Sequence, residues 1–282
     1  MSCAALDLLR ASCARTGAML SVGLEPDIAR LPSGFSRDLD GCERMLGVVI
    51  DATHAHAAAF KFNLAFFEAF GADGWAMLQR VRRTIPKDVL VIADGKRGDI
   101  GTTAERYAEA IFGRDGLDAH AATVNPLMGR DAIEPFTAHA DRLTYLLALT
   151  SNAGASDFLI DGTPPLFESI TARAADSWNS RGNVGIVVGA TRGQTIARVR
   201  EVGGDLPWLV PGVGAQGGDL AQVVSLGGLT NDASSCGLLV HVTRGVLPTT
   251  NDTGDPAEAI ERRAKSWAEA LQGALAAGEE AA

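Results

Sequence analysis

Basic residues are in deficit in this 282-residue chain: 25 Lys and Arg stand against 34 Asp and Glu, a formal net charge of −9. A nucleic-acid-binding role, which needs a basic patch, is not expected. Cysteine is scarce and scattered, at Cys3, Cys13, Cys42 and Cys236. No C-x-x-C pair occurs, so neither a zinc ribbon nor a redox dithiol is indicated, and the thiols read as reduced ones of a cytoplasmic protein. Aromatics make up only 6% of the chain. No apolar run approaches the length of a membrane span, and Asp7 and Arg10 interrupt the N-terminal apolar stretch, which makes it a poor secretory signal. The five histidines show no H-E-x-x-H or other ligand spacing. His54 and His56 point to different sides of a helix, and all five read as structural or surface residues. A Walker loop and a G-x-S-x-G nucleophile elbow are also missing.

What is present is a series of short apolar runs, each bounded by Gly, Pro, Asn or Asp. They lie at 18–24, 58–63, 88–94, 121–125, 143–150, 183–190, 206–212 and 236–242. Such runs suit strands buried on both faces. Helical periodicity fills the gaps at 42–57, 74–85, 103–113 and 166–178, and again at 256–278, where Pro256 suits a first turn. Eight strand–helix alternations without a linker predict an α/β protein, a (β/α)8 TIM barrel forming a single domain over 1–282. A doubly wound open sheet is the competing architecture, but no G-x-G-x-x-G follows the first strand. In a barrel of this kind, chemistry collects at the C-terminal ends of the strands.

The third strand end reads Asp94-Gly95-Lys96-Arg97-Gly98-Asp99-Ile100-Gly101-Thr102-Thr103. Lys96 lies two residues after Asp94 and would share its side of an extended chain. Charges crowded at a partly desolvated strand end must pair. Taken alone, the segment also fits a charged turn leading to a helix capped by Thr102 or Thr103. Lys61 is the one charge inside the second apolar run, and a snorkelling stem is its plain alternative. Glu25 follows the first run, before Pro26. Thr150-Ser151-Asn152-Ala153-Gly154-Ala155 follows the fifth. After the seventh, Pro211-Gly212-Val213-Gly214-Ala215-Gln216-Gly217-Gly218 concentrates four glycines that let the backbone curl into an anion-binding nest. Arg244, after the eighth run, offers the planar fork suited to phosphate.

The string D-x-K-x-x-D-I-x-x-T resembles the signature of the orotidine 5′-monophosphate decarboxylase family, and the longer stretch DGKRGDIGTTAERYA resembles its longer bacterial subgroup. The resemblance extends over most of the chain, and its motifs at strands three and seven are the most specific. It implies a catalytic network of Lys61, Asp94, Lys96 and Asp99 around the substrate carboxylate. It further implies that Asp99 and Thr103 reach into a partner's site in a homodimer with shared active sites. Ser151 would bond the pyrimidine, Gln216 and Gly217 would close over the phosphate, and 155–163 would form a lid. Glu25 stands where the family usually has an Asp on a ribose hydroxyl, Ala153 where it usually has Pro, and Thr243 where it more often has Ser.

The reaction so implied turns orotidine 5′-monophosphate into uridine 5′-monophosphate and CO2, the last step of de novo UMP synthesis, with no metal and no cofactor, and Lys96 as proton donor. Related barrels that use Mg2+ to decarboxylate keto-sugar phosphates or make hexulose phosphates are the alternative within the fold. A catalytically silent nucleotide-binding barrel is the alternative outside catalysis.

Overall fold

A computed structural model describes residues 3–191, 193–214, 217–228, 237–250, 252 and 254–281. Eight strands close into a barrel in sequence order, every neighbouring pair parallel: β1 (Leu20–Leu24), β2 (Ala59–Asn63), β3 (Leu90–Arg97), β4 (Ala121–Val124), β5 (Leu143–Leu149), β6 (Val184–Val188), β7 (Trp208–Pro211) and β8 (Leu238–Val242). All residues of β1, β4, β6 and β8 are buried. A strand wrapped inside by its neighbours' side chains and outside by helices has no wet face, so its sequence shows an apolar run rather than an alternation.

The outer layer comprises α2 (Leu39–Thr53), α3 (Leu64–Glu68), α4 (Gly71–Thr84), α5 (Gly101–Phe112), α6 (Arg130–Thr137), α7 (Ala155–Phe158), α8 (Leu166–Asp176), α9 (Gly193–Gly203), α10 (Leu220–Gly227) and α11 (Pro256–Ala281). Local chemistry sets several of the ends. The Asp38 carboxylate accepts the Gly41 N–H at the start of α2, and Asp219 accepts the Gln222 N–H at the start of α10. The remaining helix, α1 (Ala4–Thr16), precedes β1 and stops at left-handed Gly17. Its Ala5 N–H bonds Asp141 O, just before β5, and its Arg15 guanidinium bonds Ala57 O, just before β2. α1 therefore lies across the N-terminal end of the barrel, opposite the end where chemistry is expected.

Two of the differences from the sequence reading bear on the site. β3 runs on through Arg97 instead of stopping at Asp94, and its register against β4 shifts between Ala93 and Arg97. α5 begins at Gly101 with Ile100 in the capping position, so neither Thr102 nor Thr103 caps it; the Asp99 carboxylate accepts the Ile100 N–H instead. None of the helices among the described residues is long and apolar enough to cross a membrane.

Candidate active site

The C-terminal ends of the strands surround a cavity of about 510 Å³. That is within the range of small-molecule sites, roughly 300–1,000 Å³. Glu25, Lys61, Asp94, Lys96, Ser151 and Arg244 all line it. Strand register explains part of this. Lys61 on β2 is opposite Gly23 on β1, and Asn63 is opposite Asp94 on β3. Alternate residues thus project inward from adjacent strands at successive heights.

Asp94 is the hub. Its Oδ2 accepts from Lys61 Nζ at 2.6 Å, and its Oδ1 accepts from Lys96 Nζ at 2.6 Å and from Thr123 Oγ1 at 2.8 Å. Lys61 retains 3% of its accessible surface and Asp94 9%. Isolated, either charge would be costly at that depth; paired with each other, both are tolerated. Burial alone would raise the Asp94 pKa, but the charges of Lys61 and Lys96, with their hydrogen bonds, outweigh it and hold the carboxyl well below the usual carboxylate range.

Lys96 owes its position to an irregular backbone. It is a non-glycine residue at φ 47°, within the register shift of β3. Its own N–H donates to Thr123 Oγ1 at 3.0 Å. Thr123 consequently holds both the main chain of Lys96 and the carboxylate that grips its side chain. Left-handed, non-glycine geometry of this kind persists only where surrounding contacts over-determine it. Both lysines border the cavity, but the Lys96 side chain is half exposed whereas that of Lys61 is buried.

At the opposite wall stand the glycine-rich loop after β7 and Arg244 after β8. Gly212, Gly214 and Gly217 adopt φ values of 98°, 73° and 84°, so the loop curls as its glycines suggest. Gly212 and Val213 line the cavity, whereas Gly217 does not, and its N–H is taken by Gly214 O at 2.8 Å. Gln216 lies outside the described residues. Arg244 is exposed at the mouth with no ion-pair partner among the described residues. Behind both loops sits the Trp267 indole of α11. A Cβ on Gly214 would come within 2.9 Å of its ring, and one on Gly245 within 2.8 Å of its Nε1. Those two glycines admit the indole as a shared backstop.

The floor between the two ends is apolar, formed by Leu147, Val187 and Leu209. Ser151 borders it, its carbonyl tied to Thr191 Oγ1 at 3.0 Å. The expected lid segment holds α7 and a turn, and Phe158 there is 76% exposed; none of 155–163 lines the cavity. Asp99 and Thr103 do not line it either. They sit beyond the rim, Asp99 half-buried and Thr103 exposed at the start of α5.

Four lining residues with polar side-chain atoms went unremarked as functional in the sequence. Thr123 and Asn63 show no motif. Trp267 lies in an amphipathic helix far along the chain. His241, read as structural or surface, faces the cavity from β8. Burial, and after it the nearby Lys61 charge, lower its pKa well below the ordinary value, so the ring is neutral.

Fold and site together define a (β/α)8-barrel enzyme whose centre is a lysine–aspartate–lysine array and whose far wall is suited to an anion. The chain belongs to the Orotidine 5′-phosphate decarboxylase / HUMPS family, whose model matches residues 2–263. It is 42% identical over 253 residues to orotidine 5′-phosphate decarboxylase of Roseiflexus sp. (strain RS-1), covering 88% of this chain and 90% of that one. Among solved structures, it resembles Leishmania donovani OMP decarboxylase with a TM-score of 0.82 and 35% identity, over 96% of this chain and 98% of that one. Leishmania donovani UMP synthase matches with a TM-score of 0.82 and 37% identity over 95% of this chain, which spans 56% of that longer protein.

Proposed function

We propose that this protein decarboxylates orotidine 5′-monophosphate to uridine 5′-monophosphate and CO2, the closing step of de novo UMP synthesis, as a single cytoplasmic domain without a cofactor. The observation that carries the reading is the Lys61–Asp94–Lys96 array at the cavity wall. Relatives named for this activity over nearly their whole length support it.

The chemistry follows from the charges. Breaking the C6–carboxylate bond leaves an electron pair at C6 in an in-plane orbital that the ring cannot delocalise. A fixed ammonium next to that carbon stabilises the developing charge without reorganising at the moment of reaction. Lys96, gripped by Asp94 and held at its main chain by Thr123, is that ammonium. It then transfers a proton to C6, completing the C–H bond, and recovers one from solvent. Lys61 locks the other Asp94 oxygen. The pyrimidine rests on Leu147, Val187 and Leu209 with Ser151 at its edge, Glu25 takes a ribose hydroxyl, and Arg244 clamps the phosphate with the loop that includes Gln216 and Gly217. Phosphate binding, remote from C6, supplies energy for orientation at the reacting carbon.

Asp99 and Thr103 act in the site of a second copy. Ile100, Tyr107, Leu127 and Met128 support this: all are exposed large hydrophobics. Tyr107 stacks beneath Arg97, and Met128 approaches Gly98, which gathers them around Asp99. Burying such a patch in a two-fold contact would carry Asp99 and Thr103 into the interface between the copies.

The Mg2+-dependent chemistry also found in barrels of this kind does not suit the donor set. Both Asp94 oxygens already face ammonium groups, so a divalent cation there would meet two like charges. Among the described residues no group of three His, Cys, Asp or Glu is placed to hold a metal. The test is to treat the purified protein with EDTA, add orotidine 5′-monophosphate and follow its ultraviolet absorbance. Rapid loss is expected. No loss, but Mg2+-dependent turnover of a keto-sugar phosphate, would replace this reading. Tight uridylate binding without any turnover would make the protein a silent nucleotide-binding barrel.

A further inference from the structure

A line of side chains runs inside the barrel from its middle to its rim, and the lysine–aspartate array does not include it. Ser21 Oγ on β1 lies 3.1 Å from His241 Nδ1 on β8. His241 Nε2 lies 3.0 Å from Thr243 Oγ1, and Thr243 Oγ1 lies 3.2 Å from Glu25 Oε1. Ser21 and His241 are buried, and His241, Thr243 and Glu25 border the cavity.

The proton inventory gives this line a direction. A threonine hydroxyl has one hydrogen, and the strongest acceptor within reach is the Glu25 carboxylate. With Thr243 donating to Glu25, its oxygen must accept from His241 Nε2–H. The neutral ring then presents a bare Nδ1, which accepts from the Ser21 hydroxyl. In the Nε2–H tautomer of His241 every donor points toward the rim, from Ser21 to Glu25.

The fit around Thr243 is tight. A Cβ on Gly23, directly across on β1, would fall 2.1 Å from Thr243 Oγ1 and 2.9 Å from its methyl. The missing side chain at Gly23 is what lets Thr243 lie between His241 and Glu25. Glutamate has one more rotatable bond than aspartate, and the hydroxyl anchor removes that freedom.

We propose that Thr243, backed by His241 and Ser21, is a positioning residue that fixes the Glu25 carboxylate for its sugar hydroxyl and so sets discrimination between ribose and deoxyribose substrates. This rests on the proposed function and on Glu25 as its sugar contact. It assigns the longer acid and the threonine after β8 to one device.

The experiment is a double-mutant cycle on the full-length protein, reading kcat and KM separately. The substrates are orotidine 5′-monophosphate and its 2′-deoxy and 3′-deoxy analogues. Thr243→Val keeps the shape and removes the hydroxyl. It is expected to lower kcat/KM for the ribonucleotide about tenfold, the scale of one charge-assisted hydrogen bond, and to do so mostly through KM. Loss on one deoxy analogue should be much smaller. Thr243→Ser should restore both activity and discrimination. In a Glu25→Gln background, Thr243→Val should cost little more, because the two residues act as a unit. Additive losses, or equal losses on all three substrates, overturn the inference while leaving the proposed function standing. Absence of turnover in the wild-type protein overturns the proposed function, and the inference with it.

Discussion

Replacing Asp94 by Asn tests the array at its hub. The change keeps the shape and removes one negative charge. Lys61, 3% exposed, has no other carboxylate within hydrogen-bonding distance among the described residues. Its ammonium would be left buried and unpaired, and an amide N–H₂ would confront one of the two lysines. Breaking a buried pair from one side costs about 3–5 kcal/mol. Urea unfolding at pH 7 should show that loss as a midpoint lower by on the order of 1 M or more.

The same substitution carries a pH signature. The folded Asp94 pKa is depressed. Its contribution to stability is therefore full above the unfolded value of about 3.9 and is lost as pH falls toward the folded value. The stability gap between wild type and Asp94→Asn should thus be constant near neutrality. Below about pH 4 it should narrow by about 1.4 kcal/mol per pH unit. Comparing the two proteins cancels the other carboxylates. Equal stability at pH 7, or a gap that stays flat from pH 7 to pH 3, would refute the assignment of Asp94 as the buried counter-ion of both lysines.

Three further outcomes are expected. Lys96→Ala should lower kcat by about 10³-fold or more while uridylate still binds, as seen by calorimetry, because the loss falls on the transition state; substantial residual turnover would end its role as proton donor. Arg244→Ala should raise KM by about 10- to 100-fold through loss of charge-assisted bonds to phosphate, with a smaller change in kcat; an unchanged KM would remove it from the phosphate site. Mixing inactive Lys96→Ala and Asp99→Asn proteins should regain about a quarter of wild-type activity if a dimer shares its sites, since half the dimers formed are hybrids with one intact site; no recovery would count against Asp99 acting across an interface.

Three strand ends were readable because a charged residue follows or closes the apolar run: Glu25, Asp94 and Arg244 announce themselves by breaking a hydrophobic pattern. Lys61 interrupts its run from within, and the cost of burying it alone requires a partner. The D-x-K-x-x-D string made that partner Asp94. Other features depend on three-dimensional register, which one sequence does not display. The spacing of Asp94 and Lys96 suggested one face of an extended strand, and they do meet, but Lys96 arrives through a left-handed residue in a register shift. The inward position of His241 follows only once β8 is paired with β1, opposite Ser21. Thr123 is a single hydroxyl in an otherwise apolar run. α1 was missed because its apolar residues form a weak stripe, and the bonds that place it, to Asp141 and Ala57, join segments far apart in the chain.

The backstop behind the anion end has a consequence for assembly. Trp267 lies on α11, an element that leaves the ribosome after all eight strands have been made. A chain made only as far as β8 already carries the lysines, the aspartate and Arg244 but lacks the indole that Gly214 and Gly245 admit. The charge array thus draws on β2, β3 and β4, made in the first half of the chain, whereas the indole that backs the two glycine positions is made last.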